Sequence, residues 1–301
     1  MTHFHGTRRK RTYFEGWYLK QQCGPCSLAL IPAYHIDEYG NPSASIQIIT
    51  PDGSDFVAFD SGSFAARKDR FWVRIGKNVF SEQGMKLDLA TPRYRITGQV
   101  RFHSLTPLSY SAMGPFSLLP FMQCSHEVLS LCHTVEGTLL LNGKPLVFHR
   151  GIGYIEKDRG TSFPSQYFWT QCNQSAGGSQ SIFMSAAHIP IGKFSFTGTT
   201  CCILYGGRQY RLATYLGAKV LRLRPQTVIV RQGKKYLRAD VLKVAPHPLQ
   251  APMRGGMSRS IQESLCCQVR YRFYAGSHLL LDEVCQNASY EYVAPDREPA
   301  K

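Results

Sequence analysis

Turn-forming residues interrupt this sequence so often that no segment has room for a long amphipathic helix. Roughly every eight to fifteen residues a Gly, Pro, Asn or Asp cluster breaks an apolar run, and the runs between are rich in β-branched and aromatic residues. Two of the breaks have a defined geometry. Leu139-Leu140-Leu141 and Leu146-Val147-Phe148 flank Asn142-Gly143, the dipeptide of a type I′ hairpin turn. Gly206-Gly207 stands in the same way between Cys202-Ile203-Leu204-Tyr205 and Gln209-Tyr210-Arg211-Leu212. Further on, Val269, Tyr271 and Phe273 alternate with Gln268, Arg270 and Arg272, the pattern of a half-buried antiparallel strand. The best short helical segment is Pro115 to Cys124, and Pro120 limits it to one or two turns. Consecutive hairpins without crossover helices imply an all-β fold, an antiparallel sandwich or barrel. A barrel of about eight strands either fills its interior with side chains or holds one small ligand. At 301 residues the chain is long enough for two such domains in tandem. The boundary is predicted at His149-Arg150-Gly151, giving an N-terminal β domain over 1–149, a C-terminal β domain over 150–293 and a loose polar tail over 294–301.

Composition then narrows the classes of function. A 43% apolar and 12% aromatic content excludes a disordered chain. Pro32, His35, Pro120 and repeated Arg break every apolar run well short of the roughly 20 residues of a spanning helix. The basic start is not followed by the apolar core of an export signal, so the expected location is the cytoplasm. In that compartment the 10 cysteines are expected as reduced thiols. Cys23-Gly24-Pro25-Cys26 has the spacing of a redox pair, but such a pair needs its first thiol at a helix N-terminus. Here Ser27 to Ile31 reads as a strand, so a β-turn is expected instead. No second pair of this spacing completes a zinc site, and no metal is expected. The adjacent pairs Cys201-Cys202 and Cys266-Cys267 lie in strand-like runs, which directs one thiol of each to the core and the other to the surface or a cavity. The formal charge is +15, yet Arg222, Arg224, Arg270 and Arg272 lie on strands and no nucleic-acid signature is present. An anionic membrane surface is the better partner: Arg8-Arg9-Lys10-Arg11 would contribute about 1 kcal/mol per residue there and hold the chain at the inner face of the membrane. A basic arm without a target is the alternative. Ser162 lacks a Gly-x-Ser-x-Gly context, and Gly-rich phosphate cradles are absent.

The segment from Glu156 to Asn173 concentrates the chemistry. Glu156 and Asp158 precede a Gly160 to Pro164 break, and from Gln166 a strand alternates rings with polar groups. This places carboxyls on a turn beside an aromatic strand. A carboxyl kept dry by rings stays protonated near neutral pH and can act as an acid on an apolar substrate. The competing structural reading is a Gly/Pro corner capped by Asp158, with Trp169 packed in a core. The acid candidates are Asp158, Glu156 and Glu15 in that order, and each has a neighbouring Lys or Arg with which it could merely pair. Trp17, Tyr18, Phe163, Tyr167 and Trp169 are candidates to line a cavity and stabilise a cation by their ring faces. Trp169, Gln171 and Asn173 share one strand face by the two-residue period, where the amides can meet substrate hydroxyls. His126 and His133 are candidate proton donors or hydrogen-bonded structural residues.

Two signatures together, Phe14-Glu15-Gly16-Trp17-Tyr18-Leu19-Lys20 and the 156–173 segment, resemble the tocopherol cyclase family. Gly114-Pro115-Phe116, Cys124-Ser125-His126 and the closing Ala288-Ser289-Tyr290-Glu291-Tyr292 extend the resemblance over most of the chain. Arg159 and Tyr167 stand where the plant-type motif has Trp. The resemblance implies ring closure: the side-chain alkene of a prenylated quinol is protonated and the phenol oxygen traps the cation as a chromanol, with no cofactor. It also implies a pair of lipocalin-like antiparallel β-barrels or sandwiches, shared with carotenoid hydratase-type proteins that add water to a similar alkene. The expectations are thus a cyclase acting on an apolar isoprenoid substrate or, in its place, a hydratase or a lipocalin-like carrier that binds without turnover.

Overall fold

A computed structural model describes residues 3–6, 11–119, 122–174, 180–191 and 194–294. The chain divides into two compact units. The first contains an 11-stranded sheet. Its strands are β1 (Tyr13–Cys23), β2 (Cys26–Ile36), β3 (Pro42–Thr50), β4 (Gly53–Asp60), β5 (Phe64–Ala66), β6 (Trp72–Ile75), β7 (Asn78–Ser81), β8 (Gly84–Ala90), β9 (Arg95–His103), β10 (Cys124–Leu141) and β11 (Lys144–Gly160). Their order is β4-β3-β2-β1-β11-β10-β9-β8-β7-β6-β5. Every neighbour but one follows in sequence, as the hairpin signals require. The exception is β1 against β11, which joins the two arms and makes β11 a doubly paired strand. The sheet curls nearly into a barrel around Trp17, Leu19, Ile46, Phe71, Phe80 and Ile155. Asn142 and Gly143 both take positive φ, 51° and 78°, so the predicted type I′ turn joins β10 to β11. Because β11 runs without a break through His149 and Arg150, the first unit extends to Phe163, past the predicted boundary.

The second unit is built on β12 (Tyr167–Gln174), β13 (Gln180–Ile191), β14 (Phe194–Tyr205), β15 (Arg208–Ala213), β16 (Lys219–Arg224), β17 (Thr227–Gln232), β18 (Lys235–Lys243), β19 (His247–Met253), β20 (Gly256–Ala275) and β21 (His278–Val293). The order is β15-β14-β13-β12-β21-β20-β18-β17-β16, with β19 paired to β20. Phe168, Met184, Ile203, Leu237, Tyr271 and Phe273 form its core. The Gly206-Gly207 turn, with φ of 55° and 72°, links β14 to β15 as predicted. Residues 248–260, the turn end of the β19–β20 hairpin, belong to the first unit, where Gln47 exchanges two hydrogen bonds with the backbone of Gln250 (2.9 and 2.8 Å).

The short helical segment is a single 3₁₀ stretch, Gly114–Leu118. Cys23 and Cys26 face each other at the β1–β2 hairpin end, as expected for a turn, and all the described cysteines are free thiols. Cys201 lies in the core and Cys202 on the opposite face, as the alternation requires, and Cys202 is covered there. Among the described residues no helix is long and apolar enough to cross a membrane. Arg8, Arg9, Lys10 and the tail from 295 on lie outside the described residues.

Candidate functional site

Strand β11 sets the site, because its register with two neighbours fixes which side chains share a face. Asp158 stands opposite Gly16 on β1 and His126 on β10; Glu156 stands opposite Tyr18 and Val128; Tyr154 stands opposite Lys20. Directly opposed residues of an antiparallel pair project to the same side, and alternate residues to opposite sides. His126, Asp158, Glu156, Tyr154, Tyr18 and Lys20 therefore share the face turned away from the barrel core. Gly16 adds no side chain beside Asp158, and a Cβ there would lie 3.2 Å from the Ala33 Cβ of β2. Phe163 meets Phe14 edge-on at 5.4 Å, adding an apolar wall at the same end of this face.

Sequence reasoning placed Glu156 and Asp158 on a turn, and the structure corrects this. Both are on a strand, since β1 and β10 hydrogen-bond the backbone of β11 as far as Gly160. Asp158 caps no turn among the described residues; its Oδ1 lies 2.9 Å from His126 Nδ1. His126 Nε2 lies 3.6 Å from Glu156 Oε2, and Tyr154 OH donates to the same Glu156 oxygen at 2.6 Å. The Cys124 thiol lies 3.7 Å from Asp158 Oδ1. Burial alone would lower the pKa of His126, but the negative charges of Asp158 and Glu156 outweigh it and hold the imidazole at about 9. His126 is thus an imidazolium at neutral pH, with each ring nitrogen turned to a carboxylate. Burial first, and then the charge of Glu156, drives the Tyr154 hydroxyl well above its ordinary value, so it stays a donor. The side chains of His126 and Asp158 keep 13% and 19% of their surface open. The donor atoms of His126, Glu156 and Asp158 lie within 4.8 Å of one another, and a divalent cation would enter only in exchange for the proton on His126.

Glu15 and Trp17 are not part of this group. They lie on the opposite, core-facing side of β1, with Lys157 of β11 beside them. Lys157 Nζ is 2.5 Å from Glu15 Oε1, both side chains are closed to solvent, and the ammonium lies 5.4 Å from the centre of the Trp17 ring. Tyr13 OH donates to Glu15 Oε2 at 2.6 Å, and the His5 backbone N–H donates to the same oxygen at 2.9 Å. Burial pushes the Glu15 pKa up, but hydrogen bonding from His5 and the charge and hydrogen bond of Lys157 overcome it and bring it to about 2. A carboxyl held so firmly ionised is a poor proton donor, so Glu15 is a structural anion that fixes the N-terminal segment. Trp17 stacks on Phe71 at 5.8 Å and is core rather than cavity lining. His133 takes the structural role too: burial lowers its pKa to about 3, and it packs on the Phe102 ring.

In the second unit the two-residue period holds. Tyr167, Trp169, Gln171 and Asn173 share the face of β12 opposite to the core residues Phe168 and Cys172. All four are buried nonetheless. Tyr167 OH donates to Glu291 Oε2 at 2.7 Å, Ser181 Oγ donates to Asn173 Oδ1 at 3.0 Å, and the Gln171 amide donates to the same Asn173 oxygen. The side-chain oxygen of Gln171 is buried without a hydrogen-bond partner among the described residues, so this face has an acceptor to offer. Glu263 of β20 stands opposite Glu291 of β21 and is fully buried. Lys20, Tyr154, Glu263 and Glu291 were missed as site residues. The period would have reached Tyr154 from Glu156, but no local signal marks Glu263.

The architecture defines an all-β protein of lipocalin-like barrel type. Two solved structures share the fold along nearly the whole chain. A protein of Nitrosomonas europaea described as a putative AttH has a TM-score of 0.54 at 10% identity, covering 93% of this chain and 92% of its own. Kievitone hydratase from Nectria haematococca has a TM-score of 0.51 at 9% identity, with coverages of 98% and 94%. Residues 79–291 match the profile of the tocopherol cyclase-like family, and the chain belongs to that family. A probable chloroplastic tocopherol cyclase of Oryza sativa subsp. japonica is 25% identical over 117 residues, which is 38% of this chain and 25% of the rice protein. The match thus spans only a quarter of that protein's length.

Proposed function

We propose that this protein is a cofactor-independent acid catalyst that closes a prenylated quinol to a chromanol. The observation that carries the proposal is His126, protonated and largely dry between Asp158 and Glu156. The His126 proton passes to the less substituted alkene carbon, the more substituted carbon becomes cationic, and the phenol oxygen bonds to it. The phenolic proton then returns to the imidazole, so the group is restored and the mass is unchanged. A pKa of about 9 looks unsuited to an acid, but its cause resolves the conflict. The carboxylates that favour the imidazolium also favour the cation that replaces it a few ångströms away, so part of their stabilisation is kept in the transition state. Tyr18 and the Phe14–Phe163 pair supply ring faces and exclude water on that side.

Hydration of the same alkene is the second reading, favoured by the open fraction of His126 and Asp158, through which water reaches the cation. Incubation with a prenylated benzoquinol followed by mass analysis tests both. An isomer of unchanged mass is expected; a product heavier by one water selects hydration. Recovery of unaltered, tightly bound quinol makes the protein a carrier and ends the catalytic proposal.

A further inference from the structure

The solvent side of the second unit is strongly basic along β16 and β17. Between Phe194 and His247 the sequence has a single acidic residue, Asp240. The register stacks Lys219 beside Arg231 and extends Arg222 through Ile229 to Arg238 and Arg272, all on the side opposite the core residues Val228, Val230 and Leu237. The two carboxylates of this face are already engaged. Asp240 holds Arg238 and Arg272, each at 2.7 Å, and Asp282 holds Arg270 at 2.6 Å. Lys219, Arg222, Arg224 and Arg231 are exposed and have no carboxylate partner among the described residues.

Apolar side chains lie among these cations. The bulge between Val220 and Arg222 leaves Leu221 55% exposed at the end strand of the sheet, and Leu279 and Val284 are exposed on the same face of β21. We infer that this face docks the protein on an anionic lipid surface, the cations meeting headgroups and Leu221 entering the interface. Charge complementarity and the interspersed apolar groups select lipid over nucleic acid. Phosphodiester backbones offer nothing to Leu221, and Tyr236 and Tyr274 pack edge to face at 5.9 Å instead of presenting open rings to bases. A charged end strand also guards against sheet-to-sheet pairing, but an exposed leucine in its middle works against that purpose. Docking would hold the chain where a prenyl substrate dissolves, and so extends the functional proposal without depending on any step of it.

Sedimentation with phosphatidylcholine vesicles, with and without phosphatidylglycerol, tests the inference on the full chain. No substrate is present, so failure here leaves the reaction proposal standing, and loss of turnover leaves this one standing. Binding is expected only to the anionic vesicles and is expected to weaken as salt is raised. Each of Lys219→Gln, Arg222→Gln, Arg224→Gln and Arg231→Gln is expected to weaken it about five-fold, and Leu221→Ser roughly ten-fold, with unchanged circular dichroism. Equal binding to neutral vesicles overturns the inference. So does loss of binding on replacing Arg8, Arg9 and Lys10 with Gln but not on replacing the sheet residues. Duplex DNA bound as tightly as the vesicles, with no effect of Leu221→Ser, makes the face a general polyanion site. Aggregation of the Gln variants, with no vesicle binding by the wild type, makes the charges edge protection only.

Discussion

At the scale of single residues, the pH behaviour of the molecule divides between His126 and Glu15. His126 has a folded pKa of about 9, above the ordinary 6.5, so its stabilising contribution is complete below about pH 6.5 and is lost as pH rises through 9. The difference corresponds to about 3 kcal/mol. Turnover should show an alkaline limb near the same value. In Asp158→Asn the imidazole loses its closest anion, so its titration, followed by proton NMR of the ring, should move toward the ordinary value. The isomerisation rate should fall about 10²-fold while the protein stays folded; an active Asp158→Asn with an unmoved titration would remove Asp158 from the mechanism. Glu15 behaves in the opposite sense. Its folded pKa of about 2 lies below 4.5, so its contribution is present above about pH 4.5 and is lost as pH falls through 2. Lys157→Met leaves that carboxylate buried and unpaired, which is expected to destabilise by about 3–5 kcal/mol in denaturant unfolding at neutral pH. A loss below 1 kcal/mol would mean that the pair is not the fixed anchor described above.

At the scale of elements, two hairpins make contrasting predictions. The β1–β2 turn holds Cys23 and Cys26 opposite each other around Gly24, whose φ is 55°, and neither thiol enters the groups around His126 or Gln171. The double replacement by Ser should leave turnover within a few-fold, and any insulin-reducing activity that disappears on replacement would reveal a redox site. The β19–β20 turn is different, since Gly255 has a φ of 78° and its N–H donates to Thr161 O at 2.7 Å. A Cβ there would stand 2.0 Å from Ile36 O. Gly255→Ala is therefore expected to cost about 2–3 kcal/mol, read as a lower urea midpoint, because backbone cannot yield as a flexible side chain would. A wild-type midpoint would show that the hairpin is only loosely held against β1 and β2.

At the scale of the whole molecule, strands hold 73% of the described residues and helix 4%. Far-ultraviolet circular dichroism should show a single sheet minimum, and a helical double minimum of ordinary globular strength would refute the architecture. The sheet dominance was legible because turn chemistry and strand alternation are local properties. Asn142-Gly143 and Gly206-Gly207 each specify a turn from two residues, and Val269, Tyr271 and Phe273 specify a buried face from five. The domain boundary was misplaced for a related reason: β11 is long and twice paired, and nothing near His149 records the partners that keep it extended.

The sequence by itself determined the strand faces and the residue types of the candidate site. Its two-residue period already set Trp169, Gln171 and Asn173 together, whereas Glu156 and Asp158 read as turn residues. What it left undetermined was which face of each strand is core, since both faces of β1 carry apolar and charged residues. Only tertiary pairing decided that Glu15 lies inward against Lys157 while Asp158 lies outward against His126, 32 residues away in sequence. The physical reason is that period is a property of one strand, whereas register joins strands distant in sequence. The pKa of a carboxyl or an imidazole follows from the partners that register brings to it.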